Sequence, residues 1–129
     1  MRSDCPVSFA LDFFGDRWTL LVVRDLIQGK KFYKDFRGSK EGIATNILSD
    51  RLKKLENNGI IESKVFEQLK TQKEYSLTEK GKDLIPIIVE MMLWSNTYQE
   101  GLDISPAFLQ KADTDKQVLI AAIRTNLDR

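Results

Sequence analysis

A chain of 129 residues, of which 42% are hydrophobic and 30% charged, is long enough for one domain with a hydrophobic core and short for two. It has no histidine and one cysteine, which excludes an intrachain disulfide and a hydrolase with a histidine base, and a zinc site would need mostly carboxylate ligands. The net charge is only +1, yet 14 basic and 9 acidic side chains lie between Arg24 and Lys82 and 6 basic and 10 acidic ones lie elsewhere, so a basic middle separates two acidic ends.

The sequence is not expected to contain a membrane span or a signal peptide. No apolar run approaches the roughly 18 residues of a spanning helix, and the N-terminal stretch, with Asp4 and Asp12, does not have the pattern of a signal peptide. There is also no glycine-rich phosphate loop and no defensible pair of catalytic carboxylates. We therefore expect a cytoplasmic protein that is not an enzyme and has no metal, cofactor or membrane contact.

Two helices are predicted at the N-terminal end. Apolar residues at helical spacing after a proline predict the first over Pro6–Phe14. Asp16 is a suitable N-cap for the second, over Arg17–Ile27, whose wide apolar face includes Trp18 as an expected core residue.

A third, short helix is expected to contain Phe32, Tyr33 and Phe36 and to end at Gly38. The residues before it, Lys30–Phe32, read either as a short strand or as the lead into this helix. A short loop then connects it to a longer helix, and two helices joined by a glycine-containing turn are typical of a helix-turn-helix.

The stretch Gly42–Gly59 predicts a helix of unequal faces. Its buried face carries Ile47, Leu48, Leu52 and Leu55 with Arg51 among them, and its opposite face carries Asn46, Ser49, Asp50, Lys53 and Asn57. Short polar side chains followed by lysine suit a helix laid against base edges and then against phosphate. The sequence therefore predicts a DNA-recognition helix over about residues 44–58.

A β-hairpin is predicted directly after this helix. Ile60–Phe66 and Lys73–Leu77 have strand composition, and the polar residues between them suit a hairpin tip, which gives a wing over about residues 60–77. From this wing Lys70 and Lys73 are expected to reach phosphates or the minor groove, the alternative being a solvated loop.

A long helix is predicted from the N-cap Thr78 to about Gln99, with a kink at Pro86. It is apolar nearly all round, which indicates burial on more than one side. We therefore expect a homodimer in which this helix and the first one form the interface, the alternative being a core helix in a monomer. The expected interface residues are Val7, Leu11, Ile88, Met91 and Met92.

The remaining tail predicts two more helices. Ser105 and Pro106 suit the start of a short helix through Gln110, and Thr114 or Asp115 suits the cap of an amphipathic last one. Docking on its own subunit and docking on the other chain of a dimer are both open.

Several motifs, in order and in spacing, resemble the HxlR family of winged helix-turn-helix regulators. They are CPV at 5–7, GDRWTLLVVRDL at 15–26, GIATNILSDRLKKLENNGII at 42–61 and EYSLTEKGKDLIP at 74–86. The resemblance implies an α+β, mostly helical fold: a winged helix-turn-helix, with a three-helix core, a β-hairpin wing, and additional N- and C-terminal dimerisation helices. It divides the chain into a DNA-binding domain over residues 1–100, which includes the dimerisation helices, and a C-terminal helical extension over 101–129.

The resemblance also implies a homodimeric transcriptional regulator that places two recognition helices in successive major grooves of double-stranded DNA, about 34 Å apart. The residues Gly42–Arg51 match the family's recognition segment, which makes Thr45, Asn46, Ser49 and Asp50 the candidates for base edges. The candidates for the backbone are Arg51 and Lys53. Arg51 is equally well suited to a structural role, and Asp50 either accepts from cytosine or orients Arg51.

Cys5 matches a cysteine that some members of this family use as a thiol sensor of oxidants or electrophiles. The alternative is a packed, unreactive thiol, because Asp4 beside it would raise a thiol pKa. A small-molecule or oxidant effector is thus expected without being identified. The competing function is a winged-helix protein-interaction module without DNA binding.

Overall fold

The computed structural model describes residues 3–65 and 72–128. Packing divides the chain into two compact units, Met1–Lys82 and Asp83–Arg129. The boundary predicted near residue 100 rests on the family resemblance rather than on packing, and it stays a prediction.

The first unit has the architecture of a winged helix. Its described elements are α1 (Pro6–Phe14), α2 (Arg17–Ile27), α3 (Tyr33–Arg37), α4 (Thr45–Asn57), β1 (Ile61–Val65), β2 (Lys73–Leu77) and α5 (Glu79–Lys82). The strands form an antiparallel hairpin with Ile61 opposite Leu77 and Val65 opposite Lys73. The predicted fold class is confirmed, and the first two helices have the predicted bounds.

The core of this unit forms where α2, α4 and the hairpin meet. Each helix contributes apolar residues three or four positions apart, the spacing that places them on one face. The buried apolar side chains are Val22, Val23 and Leu26 of α2, Phe36 of α3, Ile43 before α4, Leu48, Leu52 and Leu55 of α4, Ile60 before β1, and Ile61 and Leu77 of the hairpin. Burial of the leucine face fixes which side of α4 remains in solvent.

Phe32 lies outside the third helix, which corrects its predicted position. It is the N-cap residue of α3 and bridges to Glu74 of β2, while the N–H of Tyr75 donates to the carbonyl of Lys31 at 2.8 Å. Asp35 then accepts from the Phe32 N–H at 3.1 Å, so a carboxylate in the first turn satisfies a backbone donor. Residues 30–32 were predicted either as a short strand or as the lead into the helix. The structure has no full strand there: Phe32 makes one isolated bridge to β2, and α3 begins at the next residue.

The long helix predicted from Thr78 to Gln99 is wrong, because two helices occupy this stretch. The helix α5 ends at Lys82, a turn follows at Asp83 and Leu84, and α6 runs over Ile85–Tyr98. Pro86 therefore lies in the first turn of α6, where a missing N–H costs nothing, instead of producing a kink inside one helix. Thr78 does cap α5, since its Oγ1 accepts from the Gly81 N–H at 3.2 Å.

The second unit is a helical hairpin of α6 and α7 (Pro106–Leu127). Glu90 pairs with Lys116 at 2.6 Å and Asp83 pairs with Arg124 at 2.8 Å, an order that makes the helices antiparallel. The tail thus docks on a helix of its own chain. The backbone of α7 is extended at Asp115, whose Oδ1 accepts from the Val118 N–H at 3.2 Å, so the predicted cap is present and the predicted helix end at Gln110 is wrong.

Candidate nucleic-acid interface

The helix α4 has one buried and one exposed face. Leu48, Leu52 and Leu55 are at most 3% exposed. All residues predicted for base edges lie on the exposed side, together with Lys53; they are Thr45, Asn46, Ser49 and Asp50. The structure therefore brings the predicted base-reading residues together on one solvent-facing surface at the start of the helix.

The first turn of α4 is held by a tyrosine from α3. The N-cap is Ala44, which has no side-chain cap hydrogen bond. Tyr33 Oη donates to the carbonyl of Thr45 at 3.2 Å and lies 3.3 Å from Ser49 Oγ, which ties α3 to the first turns of α4. Sequence reasoning gave Tyr33 no part in this site, since its spacing from Phe36 indicated only a place in a short helix.

Arg51 reaches from α4 to the N-terminus of α2. Its Nε donates to Asp16 Oδ2 at 2.7 Å, and the same carboxylate accepts from the N–H groups of Trp18 and Thr19 as the N-cap of α2. Partial burial raises the pKa of Asp16, but the hydrogen bonds from Arg51, Thr19 and Trp18 outweigh it and lower this pKa to about 2. Of the two roles predicted for Arg51, the contacts within the unit supply the structural one, and its phosphate contact stays a prediction.

Asp50 is paired with cations of its own helix. Arg51 Nη1 donates to its Oδ2, and Lys54 Nζ lies 3.4 Å from the same oxygen. Desolvation raises the pKa of Asp50, while the hydrogen bonds from Arg51 and Lys54 outweigh that effect and lower it below its usual value. The carboxylate thus lies between two cations on the exposed face, and their positive charge weakens the repulsion between Asp50 and any nearby DNA phosphate.

A second ion-pair network anchors the loop that leads into α4. Arg24, near the end of α2, donates from both Nη atoms to Glu41 at 2.8 Å. The adjacent Asp25 is only 2% exposed and accepts from Arg24 Nη2 at 2.7 Å and from the Ser39 hydroxyl, with Lys30 Nζ at 3.6 Å. The hydrogen bond from Arg24 lowers the pKa of Glu41 to about 2, so this pair is fully charged near neutral pH.

Of the two wing lysines predicted to contact DNA, the structure describes Lys73. Lys73 is exposed at the first position of β2, opposite Val65. Lys70 lies outside the described residues. The hairpin follows α4 directly through Gly59, whose φ of 72° gives the chain its turn between helix and strand.

The residues predicted for a dimer interface lie on α1 and α6. In α1, Val7 and Leu11 are 67% and 53% exposed. In α6, Met91 is exposed, and Ile88 and Met92 are half-buried. Cys5 is the exposed N-cap residue of α1, with its N–H donating to Ser3 Oγ at 3.0 Å.

A short helix, a second helix with an exposed polar face and a following hairpin define the class of winged helix-turn-helix regulators. The model of the HxlR-like helix-turn-helix family matches residues 13–103, and the chain belongs to this family. Among residues 3–65 and 72–128, none of the helices combines the length and the apolar character that a membrane span requires.

Individual relatives agree with this assignment. The uncharacterized HTH-type transcriptional regulator YdeP of Bacillus subtilis is 37% identical over 99 residues, which are 77% of each chain. The crystal structure of PA1607 has a TM-score of 0.71 and 36% identity, and covers 81% of this chain and 72% of that one. The redox regulator HypR in its oxidized form has a TM-score of 0.67 and 37% identity, and covers 75% of this chain and all of that one.

Proposed function

We propose that this protein is a homodimeric, sequence-specific DNA-binding transcriptional regulator. One observation carries the proposal: the polar residues at the start of α4 are exposed together, while the apolar face of the same helix is buried. A helix of about 10–12 Å diameter with such a face fits the major groove, which is about 12 Å wide. A protein-interaction module would be expected to expose apolar residues on this face of α4, but the exposed residues Thr45, Asn46, Ser49 and Asp50 are all polar.

The proposed roles divide along α4. Asn46 and Ser49 are short uncharged hydrogen-bonding side chains suited to base edges, and Thr45 and Asp50 flank them. Lys53 makes no ion pair with any described residue, so its charge is available to a phosphate. Arg51 contributes both by holding α4 against α2 and, in the complex, by a backbone contact.

Site selection from a pool of random duplexes tests this function. Wild-type protein should enrich a two-fold symmetric site, Asn46→Ala or Ser49→Ala should relax the preference at specific positions, and Lys53→Gln should weaken all sequences about equally. Wild-type protein that binds no duplex detectably at low salt would contradict the proposal. Capture of a protein partner under the same conditions would favour the interaction module.

The dimer is proposed to form through α1 and α6. Besides Met91, the exposed apolar side chains of α6 are Ile87, Trp94 and Tyr98, and the four recur at intervals of four, three and four residues. This is the spacing of a coiled-coil seam, which a second helix can cover. The proposed interface includes Val7, Leu11, Ile88, Met91 and Met92.

Sedimentation equilibrium tests the dimer. Met91→Lys should shift the protein toward monomer, because it would bury an unpaired charge in the interface. Gln117→Lys, at an exposed position of α7, is the matched control and should leave the mass unchanged. An unchanged mass for Met91→Lys would remove α6 from the interface.

Thiol sensing through Cys5 is a second proposed property. The thiol is exposed at the start of α1, a helix of the proposed dimer interface, and the relative HypR is a redox regulator. An oxidant should change DNA affinity in wild type and not in Cys5→Ser. Equal responses of the two proteins would leave Cys5 without this role.

A further inference from the structure

An open groove lies between α3 and β2. Its volume is about 440 Å³. Three cationic and three aromatic residues line it: Lys34, Arg37 and Lys73, and Phe32, Tyr33 and Tyr75. We call this the basic-aromatic groove.

Local structure explains why these side chains meet. Lys34 and Arg37 are three residues apart in α3 and therefore share a face. Lys73 and Tyr75 are two residues apart in β2 and therefore also share a face. The bridge from Phe32 to Glu74 joins the two elements at this point and keeps the cations of α3 beside that of β2.

The cations of the groove differ from those that hold the fold together. Arg24, Lys30 and Arg51 are partly buried and paired with carboxylates. Lys34, Arg37 and Lys73 are exposed, and none of them pairs with a carboxylate in residues 3–65 and 72–128. Three cations without an acidic partner in one groove favour an anionic occupant.

The groove is continuous with the proposed base-reading surface through Tyr33. This side chain lines the groove, and its hydroxyl contacts Thr45 and Ser49 in the first turns of α4.

Burial, with smaller effects of Glu56 and Tyr33, raises the pKa of Tyr75, so that its phenol stays protonated and can donate a hydrogen bond to an anion.

We infer that the basic-aromatic groove binds the DNA backbone, with Lys34 and Arg37 contacting a phosphate that lies outside the segment read by α4. This inference rests on the proposed DNA-binding function and adds a contact surface to it. Arg37 supplies the planar, multi-donor group suited to phosphate, and Lys34 and Lys73 add charge on either side.

Salt-dependent binding to a random-sequence 30-bp duplex tests the inference. Arg37→Gln and Lys34→Gln should each weaken binding roughly three- to tenfold for every sequence and make the log-log salt slope shallower by about 0.9. Lys111→Gln removes one exposed charge from α7 and is the matched control. Arg37→Lys keeps the charge and should recover the wild-type slope.

Phosphate ethylation interference supplies a readout that a merely structural role would not move. Wild type should show an interfering phosphate in each half-site that disappears in Arg37→Gln while the others persist. Because both residues are exposed, the melting temperature of each variant should match that of wild type.

Three results separate the possible failures. If Arg37→Gln and Lys34→Gln behave like Lys111→Gln while wild type binds DNA, the inference is overturned and the proposed function stands. If wild type binds no DNA, the proposed function fails first. If benzoate binds saturably in an Arg37-dependent way and the variants bind DNA normally, the groove is a small-anion site and the inference is overturned.

Discussion

Arg51 Nε donates to Asp16 Oδ2 at 2.7 Å, and this carboxylate is also the N-cap of α2. The Asp16 side chain therefore caps the start of α2 and also attaches α4 to it. Asp16→Ala should reduce the free energy of unfolding by about 1–3 kcal/mol, the sum of a lost cap and a lost, partly exposed ion pair. Urea unfolding measures this change, and Asp103→Ala at an exposed loop position should show almost none. Equal effects of the two substitutions would contradict a role for the contact.

Acid should weaken the fold through two carboxylates. The pKa values of Asp16 and Glu41 are both about 2, below their ordinary values of 3.8 and 4.5. A lowered pKa contributes stability that is fully present above the ordinary value and is lost as pH falls toward the folded value. The melting temperature should therefore be steady from pH 7 to 5 and fall between about pH 4.5 and 2. The double variant Asp16→Asn, Glu41→Gln should start lower and fall less over this window, and parallel curves would contradict the assignment.

Tyr33→Phe isolates the hydroxyl that contacts the start of α4. The ring stays, but the donor to the Thr45 carbonyl and the contact with Ser49 Oγ are lost. We expect a stability loss of about 0.5–1.5 kcal/mol from the lost hydrogen bonds, and a several-fold lower DNA affinity, because the hydroxyl also positions Ser49, a proposed base contact. Fluorescence anisotropy with labelled duplex measures the affinity. Thr125→Val is the control: it removes a hydroxyl on α7 that likewise donates to a backbone carbonyl, and it should change the DNA affinity little.

Two glycines offer a matched test of packing. A Cβ at Gly81 would lie 2.1 Å from the Ile60 carbonyl oxygen, so α5 approaches the backbone at the start of the wing too closely for any side chain. Gly81→Ala should cost about 3 kcal/mol or more. A Cβ at Gly38 would meet nothing nearer than 3.6 Å, and Gly38→Ala should change stability by less than about 1 kcal/mol. Chemical unfolding of both variants distinguishes them, and a mild effect at Gly81 would contradict the close approach.

Regular periodicity and strong end signals made much of the fold predictable. Pro6 and Asp16 mark the starts of α1 and α2, and the leucines of α4 identify its buried face before any coordinates are known. The hairpin was predictable because a polar segment separates two short strand-like runs. The exposed polar side of α4 followed from the same pattern.

The errors occurred where tertiary contacts override local pattern. Nothing in the sequence near Gly81 indicates that α5 ends after one turn, at Lys82, and Pro86 is compatible with both a kink and a new helix start. Trp18, expected in the core, is only partly buried, with the Arg17 guanidinium over its ring at 5.4 Å.

Within the candidate site, exposure was predictable and partners were not. The faces of α4 follow from helical geometry, whereas the pairing of Arg51 with Asp16 joins residues 35 positions apart. The contact between Tyr33 and Ser49, and the groove beside it, likewise depend on how α3 lies against α4 and β2, which periodicity does not specify.

The two ion-pair networks on α2 have a consequence for how a signal could act. Arg51 holds α4 at one point and Glu41 holds its leading loop at another, with the leucine face packed between them. Tilting α4 on its own would break charged contacts at both points, so α4 and α2 are expected to move together as a rigid body. Regulation of the proposed dimer would then change the distance between its two copies of α4. Lengthening or shortening the DNA spacer between the half-sites should therefore mimic or cancel the effect of an effector on DNA affinity.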